Sequence, residues 1–375
     1  MEALKDKKEI SKNSSIFDEE YYFGRYNCAQ ISNLTYNYKP YLLTSEADIG
    51  GKERGKFGII KTVSTVSAKD CAGHFGSRES GQENLRIPLL HLSRIMNIAG
   101  QIAALHGFSN NNGNGPKIPV LVGGKKVRAR NQNLMAPPAS VVAIATDFKY
   151  EEDKFSARTF ARAEGEEYAE IERLFFQLMP IADFSNRKRG IVSEIPVEQL
   201  KREGWEVRKD MYRSDIEEHI FERRPFHQLD QAMLFQSDVG LKLVMRAKIT
   251  EAECDGQLKI NGQSTISLID YSKLMALTAE LLASLVTQQR FEGLHVVPIA
   301  VKVENVTTPN LVLLSPPASV VVEANISLAD LNDVKKIRRG KNQFWADTAS
   351  VGVKGTEVAK MEKIAYALIK EDAFF

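Results

Sequence analysis

The sequence has few cysteines, no long apolar run and almost no surplus of either charge. Its 375 residues include three cysteines, Cys28, Cys71 and Cys254. They are too few and too unevenly spaced for a disulfide framework or a zinc cage, which points to a reducing cytoplasm. No stretch approaches the roughly 20 apolar residues that a membrane helix needs. Residues 1–25 are polar and charged, without the apolar core of a secretory signal. Fifty basic side chains against 48 acidic ones leave a net charge of +2 with histidine neutral. That balance argues against a nucleic-acid coat or a polybasic membrane binder, so neither nucleic acid nor a membrane is expected as a partner. There is no P-loop, no nucleotide-binding glycine loop and no metal signature; His106, His219, His227 and His295 lack metal-ligand spacing. What is present is ordinary for a globular protein, 43% hydrophobic and 26% charged, and the length suggests two domains.

The chain repeats itself. Ser93 and Met96 recur as Ser272 and Met275, 179 positions on, and the same offset carries Pro137-Pro138-Ala139-Ser140-Val141-Val142 onto Pro316-Pro317-Ala318-Ser319-Val320-Val321. Residues 165–179 align without gaps on 355–369, and 58–73 on 240–256 with one insertion. The order of matches is the same in both halves, which marks a duplication. In each half a strand (57–66; 240–249) precedes an apolar segment (87–105; 266–285) too long for a strand and apolar on most sides, as a helix surrounded by protein would be. Strands follow at 118–130, 139–149, 154–163 and 168–178, and again at 294–305, 318–328, 343–354 and 358–369. Residues 181–222 show no counterpart and read as a charged connector with a helix start at Val197. The pattern is α+β, with an antiparallel sheet wrapped around one long helix in each half.

Pro40-Tyr41-Leu42-Leu43, then Gly73-His74-Phe75, then the long helix and Lys126-Val127-Arg128-Ala129-Arg130 together resemble the beta-hydroxyacyl-acyl-carrier-protein dehydratases, a hot-dog-fold family. The duplicated arrangement is similar to the double-hot-dog dehydratase domains of polyketide synthases. The resemblance implies a flexible segment 1–25, a first hot dog over 26–180, a connector over 181–222 and a second hot dog over 223–375, paired as a pseudo-dimer within one chain; a further oligomer is not required. In the second half Gly256-Gln257-Leu258 stands where Gly73-His74-Phe75 stands in the first, and Asp270 stands where His91 does. One half thus has the loop histidine and the other the helix acid. The family takes these two groups from neighbouring hot dogs, so the resemblance implies one intact site, His74 with Asp270. Gly73, Phe75, Gly262 and Tyr271 are the expected substrate-binding residues.

Dehydration of a 3-hydroxyacyl thioester needs a base for the α-proton and an acid for the departing hydroxyl. Neutral imidazole, with a reference pKa of about 6.5, suits the first task, and a buried carboxyl kept protonated suits the second. Each residue also has a plainer reading. Asp270 could be a helix-start acid favoured by the macrodipole, His91 and Gln257 supports of the fold, Ser93 and Ser272 packing or capping residues, and Cys71 and Cys254 small buried side chains. The family's Pro-Gly before the catalytic helix is replaced by Asn261-Gly262-Gln263-Ser264, and its glutamine one turn beyond the acid by Leu274. A hot-dog thioesterase, or an inactive acyl-binding or assembly subunit, therefore stands beside a 3-hydroxyacyl-thioester dehydratase of fatty acid or polyketide biosynthesis. No cofactor is expected beyond the phosphopantetheine arm of the substrate, carried by an acyl carrier protein or coenzyme A. Lys335, Lys336, Arg338, Arg339 and Lys341 form a basic run suited either to docking an acidic carrier or to a solvated loop.

Overall fold

The computed structural model describes residues 22–51, 57–72, 86–108, 117–130, 135–220, 229–290, 296–333 and 343–370. The first half runs β1 (Tyr22–Asn27), α1 (Cys28–Thr35), β2 (Thr44–Gly50), β3 (Ile59–Val66), α2 (Leu89–Phe108), β4 (Lys117–Ala129), β5 (Ala139–Glu151), β6 (Lys154–Ala163) and β7 (Glu166–Pro180). A short helix α3 (Val197–Arg202) leads to β8 (Glu206–Tyr212), α4 (Arg213–His219), β9 (Leu229–Gln236) and β10 (Gly240–Ile249). Then come α5 (Leu268–Arg290), β11 (Val296–Thr307), β12 (Ala318–Ser327), α6 (Leu328–Asp333), β13 (Gln343–Val353) and β14 (Thr356–Lys370).

All the strands among the described residues join one antiparallel sheet in the order β1-β2-β3-β5-β6-β7-β4-β11-β14-β13-β12-β10-β9-β8. Read outward from the centre, the two halves present equivalent strands in the same sequence. The seam is the β4–β11 ladder, where Gly123 faces Thr307, Val127 faces Val303 and Arg128 faces Lys302. Thr307 and Lys302 lie 179 positions beyond Arg128 and Gly123, so an approximate two-fold axis passes through the seam. The duplication read from the sequence is a duplication in space. Among the described residues no helix is long and apolar enough to cross a membrane.

Each long helix fills its half of the sheet. Helix α2 packs on β3 to β7 and α5 on β10 to β14, and the two helices also touch each other. Along α2, Ile95, Met96, Ile98, Ala99, Ile102 and Ala103 are all buried, as a helix with protein on most sides requires. Two threonine hydroxyls buried within α5 are satisfied locally: Thr278 donates to Leu274 O at 2.7 Å and Thr287 to Ala283 O at 2.8 Å. In α2 the buried Gln101 accepts from Asn37 Nδ2 at 3.0 Å and donates to Pro119 O at 3.1 Å. The other oxygen-bearing end of Asn37 accepts from Leu258 N at 3.0 Å, so this chain of bonds crosses from one half to the other. Beside it Tyr38 N donates to Gly256 O at 2.6 Å and Lys259 N to Tyr36 O at 2.7 Å. Gly256 has φ +80°, and a Cβ there would lie 2.3 Å from Tyr38 O; only glycine admits so close a crossing.

The expectation that 181–222 lacks a counterpart is corrected. Strand β8 and helix α4 stand to β9 as β1 and α1 stand to β2: Tyr26 faces Ala47 and Met211 faces Ala232, each displaced by the same 185 positions. Strand β1 also begins at Tyr22, inside the segment read as flexible. Both are edge strands with mostly exposed side chains, so they carry no apolar alternation to betray them.

Helix α2 passes so close to β7 that a Cβ on Gly100 would lie 2.7 Å from the ring of the buried Phe176. Gly100→Val is expected to lower unfolding free energy by about 1–3 kcal/mol through overpacking. A urea titration checks this; a variant as stable as the parent would contradict the close packing.

Candidate functional site

The N-terminal ends of α2 and α5 meet near the axis, and a cleft of about 840 Å³, counting space open to solvent, opens between them. Both halves line it. The first half supplies Tyr41, Asp70, His91 and Arg94; the second supplies Glu253, Asp270 and Lys273. These positions correspond through the repeat. His91 and Asp270, and Arg94 and Lys273, are 179 apart; Asp70 and Glu253 are 183 apart. In both halves the loop acid closes the same turn: Ser67 N donates to Asp70 Oδ2 and Thr250 N to Glu253 Oε2, each at 2.8 Å.

Asp270 is held at the start of α5. Its Oδ2 accepts from Ser267 N at 2.8 Å and from Ser267 Oγ at 3.1 Å. Ser267-x-x-Asp270 therefore closes the first turn as a capping box does, which gives the plain helix-start reading a definite geometry. Burial raises the Asp270 carboxyl above its ordinary value, opposed by the Ser267 backbone bond, by Gln257 and by Lys273. Burial wins, so the protonated form is favoured relative to an exposed aspartate. Gln257 is fully buried and donates to Ser267 Oγ; it reaches Asp270 within its own half and steadies the same turn. His91 is buried and donates from Nε2 to Asp70 O at 2.7 Å, a bond that supports the fold.

The remaining cleft residues divide by function. Arg94 lies over the Tyr41 ring, its Cζ 3.6 Å from the centroid, and donates to Pro40 O at 3.3 Å. The guanidinium thus braces the Pro40-Tyr41 segment, and Tyr41 in turn stands beside Ser267 and Asp270 of the other half. Burial raises the Tyr41 phenol, keeping it protonated. Lys273 follows Asp270 by three residues and so shares its helix face. Its Nζ is 3.8 Å from Glu253 Oε1. Burial lowers the ammonium of Lys273 and raises the carboxyl of Glu253, and each partner counteracts the other's shift.

Behind the cleft runs an apolar cavity of about 1020 Å³, counting space open to solvent. The two share walls at Leu90, Ile269 and Lys273. It passes between the helices and under the seam, past Gly123, Gly124, Val303 and Val306, and both Ser93 and Ser272 face it. Glycine at 124 leaves room: an added Cβ would sit at ordinary contact, 3.6 Å from Ile171.

The sequence-derived site residues distribute unevenly. Asp270 lies in a cleft built by both halves. Gly73, His74 and Phe75 lie outside the described residues, as do Lys335, Lys336, Arg338, Arg339 and Lys341. Gly262 is an exposed turn residue with φ +75°, in the hairpin that bridges Ile260 to Gln263; it lines neither cavity, which corrects its assignment to substrate binding. Tyr271 faces the other way from Asp270, into a separate pocket of about 350 Å³, because consecutive helix residues point about 100° apart. Cys71 and Cys254 are fully buried, and burial pushes the Cys71 thiol up to about 12, consistent with inert packing groups. Sequence reasoning missed Tyr41, Arg94, Lys273, Asp70 and Glu253 as cleft residues. For Arg94 and Lys273 the one local signal was that both are basic at equivalent positions of the repeat, 179 apart.

A carboxyl raised by burial stabilises the fold most at low pH, and that contribution falls as pH rises through its folded-state value. Asp270→Asn cannot ionise and should escape this loss. The melting temperature of Asp270→Asn relative to the parent is expected to rise between about pH 4 and pH 7. A difference that shrinks over that interval would show that the capping bonds outweigh burial.

No protein-family model matches the chain, and no curated protein matches it in sequence. Solved structures do match its fold. A CurJ dehydratase, an inactive mutant with a bound compound, is 12% identical, with 86% of this chain and 95% of that chain covered and a TM-score of 0.50. The dehydratase domain of a mycocerosic acid synthase-like polyketide synthase is 9% identical, covering 87% of this chain and 96% of that one, also with a TM-score of 0.50. In fold, this chain is similar to the double-hot-dog dehydratase domains of polyketide synthases.

Proposed function

We propose that the protein is a hydro-lyase that removes water from a 3-hydroxyacyl thioester, giving the 2-enoyl thioester in fatty acid or polyketide synthesis. The observation that carries this reading is Asp270: a half-buried carboxyl, its protonated form favoured by desolvation, in a polar cleft whose walls continue into an apolar cavity. A thioester substrate has that same division, with a polar reacting end and an apolar tail. Ala72, two residues before His74 in the sequence, is on the cleft wall.

In this mechanism the imidazole of His74 takes the α-proton. The electron pair released at the α-carbon is delocalised onto the thioester oxygen and then forms the new C2–C3 double bond as the C3–O bond breaks. Asp270 gives its proton to the departing hydroxyl, which leaves as water. Solvent then removes the proton from His74 and restores the one on Asp270. The reaction needs no cofactor besides the substrate's pantetheine arm. A carrier protein as the donor of that arm, with the basic run from Lys335 to Lys341 as its docking surface, completes the proposal.

Incubation with a 3-hydroxyacyl pantetheine thioester should yield the enoyl product, followed by its ultraviolet absorbance. His74→Ala and Asp270→Asn should each slow it by about 100- to 10,000-fold. Free acid as the product would favour a thioesterase, and no product a non-catalytic acyl-binding subunit. Gly124→Leu should fill the apolar cavity and lower kcat/KM for long acyl chains about tenfold relative to short ones. An equal effect on both would place the acyl chain elsewhere.

A further inference from the structure

We propose that Lys273 holds the negative charge that develops on the thioester oxygen during the reaction, an inference that rests on the dehydratase reading. Among the described residues it is the one cation on the wall shared by the polar cleft and the apolar cavity. The reacting carbons must sit at that junction, with the acyl tail on one side and the thioester on the other. Lys273 is one turn from Asp270 on the same face of α5, so one side chain meets the hydroxyl at C3 while the other meets the oxygen at C1. Its two-fold equivalent, Arg94, is committed to the Tyr41 ring and to Pro40 O. Lys273 pairs with Glu253 across the cleft, Nζ to Oε1 at 3.8 Å.

The step balances without another reactant. When the base removes the α-proton, the C–H pair becomes the C1–C2 π bond and the carbonyl π pair moves onto oxygen, where the ammonium of Lys273 meets it. The pair then returns to carbonyl, the C2–C3 double bond forms, and the C3–O pair departs with the proton from Asp270. A fixed cation at the forming oxyanion lowers the barrier because it stabilises charge absent from the ground state.

Charge formation can be read apart from water loss. Hexanoyl pantetheine thioester has no 3-hydroxyl, and its α-protons exchange in D₂O at a rate set by enolate formation, followed by proton NMR. Lys273→Met should slow this exchange by about 100- to 1,000-fold, with less than about a threefold change in thioester affinity, whereas Asp270→Asn should leave exchange within about tenfold of the parent. Lys273→Arg, which keeps the charge, should recover most of the rate; Lys273→Gln, which keeps polarity alone, should not. This pair carries the comparison if Lys273→Met does not fold. Exchange by Lys273→Gln at the parent rate, or by Lys273→Arg no faster than by Lys273→Gln, overturns the assignment. A parent that exchanges but makes no enoyl product leaves Lys273 in place and removes the dehydratase reading; a parent that does neither removes both.

Discussion

The hydrogen-bonded seam between β4 and β11 is the constraint on which the rest of the molecule depends. It joins two seven-strand halves into one sheet and sets the approximate two-fold axis. Because each long helix lies on its own half, the seam also brings α2 and α5 into contact. Their N-terminal ends then share one cleft, and the space under the seam becomes the apolar cavity. That cavity depends on an asymmetry within the repeat. Gly124 in β4 corresponds to Val303 in β11, so one side of the seam is thinner than the other. The crossing at Gly256, which accepts a bond from Tyr38 N, fixes the segment that carries Tyr41 against the second half.

The cleft works against the apolar packing around it. The carboxyls of Glu253 and Asp270, the Arg94 guanidinium and the Lys273 ammonium are held partly out of water near the ends of two hydrophobic helices, where desolvation disfavours every charge. The shifts follow that rule: Asp270 and Glu253 are raised, Arg94 and Lys273 lowered, each with burial as the first cause. Arg94 is compensated by the Tyr41 ring, and Asp270 by the first turn of its own helix. A capping acid and a proton donor make opposite demands on one carboxyl, since backbone N–H bonds favour its ionised form. Burial decides that contest in favour of the proton.

Much of this was legible in the sequence. The repeated Ser-Met and Pro-Pro-Ala-Ser-Val-Val strings set the duplication, and the apolar run from Ile87 to Leu105 marked a helix enclosed by sheet. Asp270 was found because it replaces His91 at an equivalent position. What stayed hidden had weak or non-local signals. Strands β1 and β8 are edges without apolar alternation, so the repeat seemed to stop short of them. Tyr41 and Arg94 reach the site only through the meeting of the two halves. Lys273 looked like one charge on a long helix until its shared wall with the apolar cavity was in view. Gly262 drew attention as a glycine before the helix, yet its hairpin turns outward.

A crystal structure of Asp270→Asn with a bound 3-hydroxyacyl pantetheine thioester tests the central claim most directly, since the slowed variant should retain its substrate. The account predicts the C3 hydroxyl within about 3.2 Å of the residue-270 side chain, the acyl tail beneath the seam beside Gly124, and an imidazole nitrogen of His74 facing the α-carbon. A thioester bound outside the cleft, or a hydroxyl turned away from residue 270, would contradict it.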